Sequence, residues 1–155
     1  SKSDGNWFEL HGYYQGKTRP DPGNPNPPMG WNVKVASEQM GHRQNSQRKL
    51  TCQWKQLNER LLLVTANEGA RHMVRALLSQ VGRSPILGDI RYGSSITLPD
   101  QSVALHARSV TLPDSFKLGT TMRKSFVAPI PNGWRSFVGI SEEDISDITS
   151  TGYQQ

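Results

Sequence analysis

Asn67 to Gly93 reads N-E-G-A-R-H-M-V-R-A-L-L-S-Q-V-G-R-S-P-I-L-G-D-I-R-Y-G, and the fold turns on this stretch. From Arg71 to Val81 the apolar side chains recur with helical period. Met73, Val74, Leu77, Leu78 and Val81 form one stripe that a sheet can bury. Arg71 and Arg75 stand one turn apart, away from the centre of that stripe. Asn67 and Gly69 supply turn chemistry before the helix, and Gly82 is placed to end it in the left-handed conformation. The Gly88-Asp89-Ile90-Arg91-Tyr92-Gly93 segment then reads as a tight loop, with Asp89 bonding local backbone groups to fix the turn.

Upstream, Leu50 to Leu57 alternates. Leu50, Cys52 and Trp54 share one face, and Thr51, Gln53 and Lys55 share the other, which is the period of a half-buried strand. Leu61 to Ala66 is a continuous apolar run, expected as a more deeply buried strand. Only Asn58, Glu59 and Arg60 lie between them, so the two predict an antiparallel hairpin. Downstream, Val103 to Leu112 and Phe126 to Ile130 read as further strands. The tripeptides Leu98-Pro99-Asp100 and Leu112-Pro113-Asp114 act as turn punctuation. Residues 1–33 are expected to be an arm or linker, because Arg19 to Gly30 carries five prolines. Within it Trp7, Phe8, Leu10, Tyr13 and Tyr14 can form a short strand or hairpin arm. Residues 34–140 are expected to form the folded domain, and residues from Ser141 an acidic, polar, frayed tail.

The chain's 155 residues suffice for one domain with its own core. A hydrophobic fraction of 34% and a mean hydropathy of −0.61 predict ordered and loop-like parts side by side. Net charge is +5, with a pI near 9.6, which favours anionic partners and nucleic acid first. The charge is uneven. Lys34 to Arg91 holds ten Lys/Arg against four Asp/Glu, or +6, whereas Trp134 onward holds one against four, or −3. A phosphate-binding face and an ordinary solvated surface both fit that pattern. The single cysteine, Cys52, forms no internal disulfide and suits a reducing compartment. No apolar run has the length of a membrane span, so no membrane partner is expected. The N-terminus has neither a signal-peptide core nor an initiator Met, as a processed or excised fragment would.

The central stretch resembles a signature of the RluA-type RNA pseudouridine synthases. In that family a turn and helix of the form Thr-Gly-Arg-Thr-His-Gln-Ile-Arg-x-His precede a Gly-His-Pro-Ile-x-Gly-Asp-x-x-Tyr-Gly loop. Gly69, His72, Arg75, Pro85, Ile86, Gly88, Asp89, Tyr92 and Gly93 fall on those positions. Val103 to Arg108 is similar to the family's Leu-Ala-Leu-His-Ala strand, which includes His106. Phe126 to Trp134 is similar to its Phe-x-Ala-Pro-Leu-Pro-x-x-Trp segment, and Lys49 to Ala66 to the hairpin before the central motif. The similarity runs from about Val35 to Phe137, with order and spacing kept.

The resemblance implies an α+β fold of the pseudouridine-synthase type, with a mainly antiparallel sheet and few helices, in an incomplete version. It implies isomerisation of uridine to pseudouridine in RNA, without a cofactor, on an extruded nucleotide. It implies that Arg75 is the partner of the family's catalytic aspartate, since a guanidinium keeps a part-buried carboxylate ionised and oriented. The His-Arg-Leu-Asp segment that carries this aspartate is not among the 155 residues, and Asp89 does not replace it. Ala70, Met73, Leu77 and the pair Arg83-Ser84 also depart from the pattern. Arg71 is shifted by one place, about 100° around a helix.

The expected RNA contacts are Arg71, Arg83, Arg91, Lys49 and Lys55. Gly69, His72, Gly88, Asp89, Tyr92, Gly93 and His106 are expected to be structural, with the two histidines hydrogen-bonded. Trp31, Trp54 and Trp134 can stack on bases or serve the core. His11, His42, His72 and His106 are not spaced as metal pairs, so no metal is expected. Neither a nucleophile elbow nor a phosphate loop is present.

Three readings remain open at this level. The chain is part of an active synthase whose aspartate lies elsewhere, or a non-catalytic rRNA, tRNA or ribosome-assembly factor. The third is a protein-interaction domain that meets a partner or its own copy through an exposed sheet edge. An intracellular site is expected, cytoplasmic or mitochondrial.

Overall fold

A computed structural model describes residues 7–17, 30–35, 48–68, 71–112, 125–140, 142–143 and 145. The chain divides into two compact units, Ser1–Val103 and Ala104–Gln155. In both, helices are few and strands pair antiparallel, so the mixed α+β class read from the sequence holds.

The first unit is built on a four-stranded antiparallel sheet of order β2-β1-β3-β4. The strands are β1 (Phe8–Lys17), β2 (Trp31–Lys34), β3 (Lys49–Asn58) and β4 (Leu61–Thr65). The β3–β4 hairpin is where the alternation put it, with Trp54 opposite Val64 and Lys55 opposite Leu63. β1 lies inside the sheet, pairing Leu10 with Cys52 and Gly12 with Leu50. Phe8–Lys17 and Trp31–Lys34 are therefore sheet strands and not parts of an arm set apart from the domain. The contribution of β1 was hard to read because its helix-facing positions are Leu10, Gly12 and Tyr14, only one of them aliphatic. The bulk of the proline-rich segment lies outside the described residues.

Gly12 is small for a reason of approach. A Cβ there would sit 2.6 Å from Val33 Cγ1 and 3.0 Å from Val81 Cγ2. Its absence lets the helical layer press against the sheet. Leu50, Cys52, Val33, Met73, Ala76, Leu77 and Tyr92 form the buried cluster, edged by Leu10, Tyr14, Trp31, Val64, Val74 and Val81. Burial pushes the Cys52 thiol up to about 11, so it packs as a small apolar group. β4 departs from the deeply buried strand expected of Leu61 to Ala66. Leu61 and Leu63 are buried while Leu62 is 36% exposed, because β4 is an outer strand and its residues alternate between faces.

Across the sheet lies α1 (Arg71–Ala76), which continues as a π-helical turn, Leu77–Val81. The Gly82 N–H donates to the Leu77 carbonyl and the Ser84 N–H to the Leu78 carbonyl. The expected regular helix through Val81 is thus widened in its second half. Gly82 does not take the left-handed conformation; its φ is −79°, and Arg83 takes φ 58° instead. Tertiary hydrogen bonds accompany the widening. Ser79 Oγ donates to the Tyr92 carbonyl. Gln80 Nε2 donates to the Trp31 carbonyl at 2.8 Å, and its Oε1 accepts the Val33 N–H at 2.7 Å. One side-chain amide thus occupies the donor and acceptor that a further strand would need on β2.

The second unit holds the two-stranded pair β5 (Ser109–Thr111) and β6 (Ser125–Val127), followed by α2 (Gly133–Phe137). The strands expected over Val103 to Leu112 and Phe126 to Ile130 are shorter than their apolar runs. Side chains take backbone groups that a ladder would otherwise use. The Ala128 carbonyl meets His106 Nε2 at 3.0 Å and accepts from Arg108 Nη1 at 3.1 Å. Glu142 accepts from Arg108 and from the Ile130 N–H, and those bonds lower its pKa. Glu142 and the buried Ile145 are part of the packed unit, unlike the frayed tail expected from Ser141; the other residues beyond Ser141, except Glu143, lie outside the described set.

Removing the Gln80 amide while keeping its bulk isolates its effect on the β2 edge. Gln80→Met is expected to cost about 1–3 kcal/mol, the penalty of leaving half-buried backbone groups unpaired. Urea unfolding of the variant beside the parent measures it, and an unchanged midpoint would show that water replaces the amide.

Candidate functional site

Two arginine donors and one buried carboxylate set the centre of the first unit. Arg75 Nε donates to Asp89 Oδ2 at 2.9 Å and Nη2 donates to Oδ1 at 2.8 Å. Asp89 is fully buried and the Arg75 side chain is 15% exposed. The pairing follows from local geometry at both ends. α1 points Arg75 along its flank, and a loop delivers Asp89 from the other side. In that loop Gly88 takes φ +84°, and a Cβ on it would sit 2.4 Å from the Ser102 carbonyl oxygen. The Asp89 backbone closes the turn independently, its carbonyl accepting the Ser94 and Tyr92 N–H groups. The hydrogen bond to Asp89 raises the Arg75 pKa further.

Tyr92 ends the 3₁₀ turn Ile90–Tyr92 and locks the pair from below. Its ring centroid lies 4.9 Å from the Arg75 guanidinium carbon. Its hydroxyl accepts the Trp31 N–H at 2.8 Å and meets His72 Nδ1 at 2.7 Å. Burial lowers the His72 pKa, and the positive charges of Arg75 and Arg91 lower it further. The Tyr92 hydroxyl and His72 Nδ1 share one hydrogen bond, in which the tautomer of the neutral ring sets which of them donates. Trp31 continues the cluster, lying nearly parallel to His72 with centroids 6.4 Å apart, and Arg48 sits 5.8 Å above the Trp31 ring. Arg48 is also paired with Glu68.

Beside this cluster an open groove of about 620 Å³ is lined by Arg75, Asp89, Arg91, Ile90, Leu98 and Gln101 among others. Ile90 is 49% exposed, so the groove carries an apolar wall next to its cations. Arg75 presents more donors than Asp89 uses. A guanidinium has five N–H groups, two of which are spent on the carboxylate. Among the described residues, Nη1 has no acceptor. The arrangement can therefore hold a second anion or carbonyl end-on.

The structure brings together Arg75, His72, Asp89, Tyr92, Gly88, Gly93 and Arg91 within one helix and the loop that follows it. Asp89 does more than fix its own turn: its side chain is the partner of Arg75, a role that its loop position alone did not signal. The cationic set does not form one face. Arg83 and Arg91 are exposed near the helical layer. Lys49 and Lys55 lie on the sheet face opposite the core, since they alternate with Leu50 and Cys52. Lys55 Nζ lies 5.8 Å from the Trp7 ring. His106 and Trp134 belong to the second unit, centroids 6.1 Å apart. Trp134 is buried and Trp54 stacks on Phe8 at 4.9 Å. Gly69 and the Arg71 side chain lie outside the described residues. Sequence reasoning missed Arg48 and Gln80, whose partners are remote in the chain and leave no local pattern. No group of three or more His, Cys, Asp or Glu among the described residues is placed to hold a metal, and no helix among them is long and apolar enough to cross a membrane.

Comparison with curated proteins relates the chain to a pseudouridine synthase. It is 33% identical over 85 residues to the 21S rRNA pseudouridine(2819) synthase of Kluyveromyces lactis. The match takes in 54% of this chain and 26% of that protein, so the chain spans about a quarter of the length of its relative. No family model matches, and no solved structure matches.

Two outcomes follow from the cluster. Asp89→Asn leaves a buried guanidinium without its counter-charge and is expected to cost about 3–5 kcal/mol by denaturant titration. A loss below 1 kcal/mol would place the pair in effective contact with solvent. For His72 the folded pKa lies below its ordinary 6.5, so the folded state resists protonation. Its contribution to stability is complete above pH 6.5 and is lost as pH falls through the folded value. Titration of the His72 ring by NMR is expected to give a midpoint under 6.5, and a midpoint above it would contradict the assigned neutral ring.

Proposed function

We propose that this chain is the RNA-binding portion of an RluA-type pseudouridine synthase domain and does not isomerise uridine by itself. The observation that carries the reading is the half-used guanidinium of Arg75. Asp89 and Tyr92 fix its side edge, while its end edge stays free beside an open groove that has an apolar wall. A catalytic aspartate supplied by the rest of the domain would dock on that end edge, bidentate, and be held ionised next to the extruded uridine. The 85-residue similarity includes a relative whose name specifies rRNA, which favours rRNA over tRNA as the partner. The same reading carries an intracellular site, cytoplasmic or mitochondrial, and makes the sheet of the first unit a fraction of the family's sheet.

Asp89 is not the catalytic carboxylate in this scheme. It is fully buried, and both of its oxygens face Arg75. A nucleophile or base that must reach an extruded base needs an open lone pair. Asp89 instead plays the part of a fixed counter-ion, which orients the arginine and leaves it near neutral until the second carboxylate arrives.

The test uses the 155-residue chain and a fluorescent rRNA oligonucleotide. Anisotropy between 50 and 200 mM KCl is expected to show binding that weakens steeply with salt, by one to several orders of magnitude depending on the number of phosphates engaged. Primer extension after carbodiimide treatment is expected to show no new pseudouridine. Salt-independent binding, or none, would remove the RNA reading, and pseudouridine formed by this chain alone would remove the claim about the aspartate.

A further inference from the structure

The face of the first unit's sheet turned away from the helical layer takes no part in the Arg75 site, and the register fixes which side chains it carries. On β1, Glu9, His11 and Tyr13 alternate with Leu10, Gly12 and Tyr14, which meet the helical layer. Tyr13 stands directly opposite Lys34 on β2 and opposite Lys49 on β3. Lys34 follows the buried Val33 and Lys49 precedes the buried Leu50, so both lysines share the face of Tyr13. The three form one row across three neighbouring strands: cation, phenol ring, cation. With strands about 4.8 Å apart, the two lysine Cα atoms stand roughly 10 Å from each other across the ring.

The rest of this face is different. Toward β4, Lys55 stands opposite the buried Leu63, and its ammonium lies 5.8 Å from the ring of the buried Trp7. Lys34 and Lys49 are exposed, and Tyr13 is half-buried. Among the described residues no carboxylate pairs with either lysine and no ring packs on Tyr13. Glu9, on the same face of β1, lies four residues away, about 13 Å along the strand. It meets His11 Nδ1 at 3.3 Å. Tyr14, next in the chain, supplies the contrast, since its ring packs edge-on to Trp31 with centroids 5.0 Å apart. A counter-ion for the lysines or a packing partner for the ring would give the row a use in folding, and among the described residues it has neither.

We propose that the Lys34–Tyr13–Lys49 row binds a single-stranded segment of RNA, with one base stacked on the Tyr13 ring and the phosphates on either side of that nucleotide held by the two lysines. A nucleotide within a strand has a planar base between two backbone anions, and the row has a ring between two cations. A duplex keeps its base faces stacked inside and offers the row only phosphates. An acidic peptide would use the lysines and leave the ring idle. Stacking tolerates any base, so the row holds the strand without selecting the nucleotide. The inference rests on the RNA-binding reading above and adds a contact surface across the sheet from the helix that carries Arg75.

The experiment uses the full 155-residue chain and its Tyr13→Leu, Tyr13→Phe, Lys34→Gln and Lys49→Gln variants, with thermal melts to establish that each folds. Anisotropy across a KCl series is read on a fluorescent single-stranded rRNA oligonucleotide, on its duplex and on polyglutamate. Tyr13→Leu is expected to weaken single-strand binding about tenfold, whereas Tyr13→Phe, which keeps the ring, binds like the parent. Each lysine variant is expected to lower the slope of log K against log salt by about 0.7. The duplex is expected to bind with no dependence on Tyr13→Leu. Parent-like binding by a folded Tyr13→Leu, or an unchanged slope in Lys34→Gln, would overturn the row and leave the RNA-binding reading standing. Lys34 is exposed on an edge strand, so that second arm holds even where Tyr13→Leu fails to fold. Polyglutamate bound as tightly as RNA would make the row an acidic-protein contact and overturn the proposal. A parent chain without salt-dependent RNA binding would remove both readings.

Discussion

The buried pair between Arg75 and Asp89 is the constraint on which the first unit depends. It joins a helix to a loop fourteen residues later, in which Gly88 leaves no room for a Cβ beside the Ser102 carbonyl. The cost of taking two charges out of water is large, and a bidentate geometry is what offsets it. Such a pair adds little net stability over an apolar contact, yet any arrangement that separates its members leaves a bare charge inside. Tyr92 extends the same constraint to the sheet, since its hydroxyl reaches the Trp31 N–H on β2 and the His72 ring on α1.

What the sequence disclosed divides along a physical line. Features encoded by short-range periodicity were legible: the β3–β4 hairpin, the stripe from Met73 to Val81, and the glycine-marked turn before Tyr92. Features encoded by one polar side chain reaching a distant backbone were not. Gln80 stands seven residues after Met73, where a regular helix would turn it toward the core, and nothing local shows that its amide finds Trp31 and Val33. The same is true of Ser79 and of the widened turn that holds them both. β1 was expected as a short strand or hairpin arm, and its place inside the sheet escaped for a different reason. Its helix-facing positions alternate among Leu, Gly and Tyr, and the glycine that weakened the pattern is there because Val33 and Val81 need its space.

The site was half legible. Arg75 and its neighbours were placed by resemblance to a family motif, and the described geometry brings His72, Arg75, Asp89 and Tyr92 together. The identity of the partner that Arg75 meets within this chain was not legible, because an aspartate in a tight loop has an adequate local use. Here the backbone of Asp89 performs that local use, and the side chain is released for the arginine. Which sheet face each cation occupies needed the strand register. Lys49 and Lys55 alternate with Leu50 and Cys52, so once those two enter the core the lysines must face away.

An arginine with one edge pinned and one edge free has consequences for how a larger site would assemble. A free guanidinium on a flexible side chain loses rotamer freedom when it grips a carboxylate, and that loss opposes binding. Arg75 has already lost it on folding, held by Asp89 in the plane and by Tyr92 beneath. A second carboxylate arriving at the end edge would meet donors already in position, with no ordering step left to oppose it. The neutral His72 beside it matters in the same way, since a protonated ring would add a third positive charge to Arg75 and Arg91 and compete for the incoming anion. In the proposed reading the chain supplies a preset electrostatic contact, and the catalytic carboxylate comes from the rest of the domain.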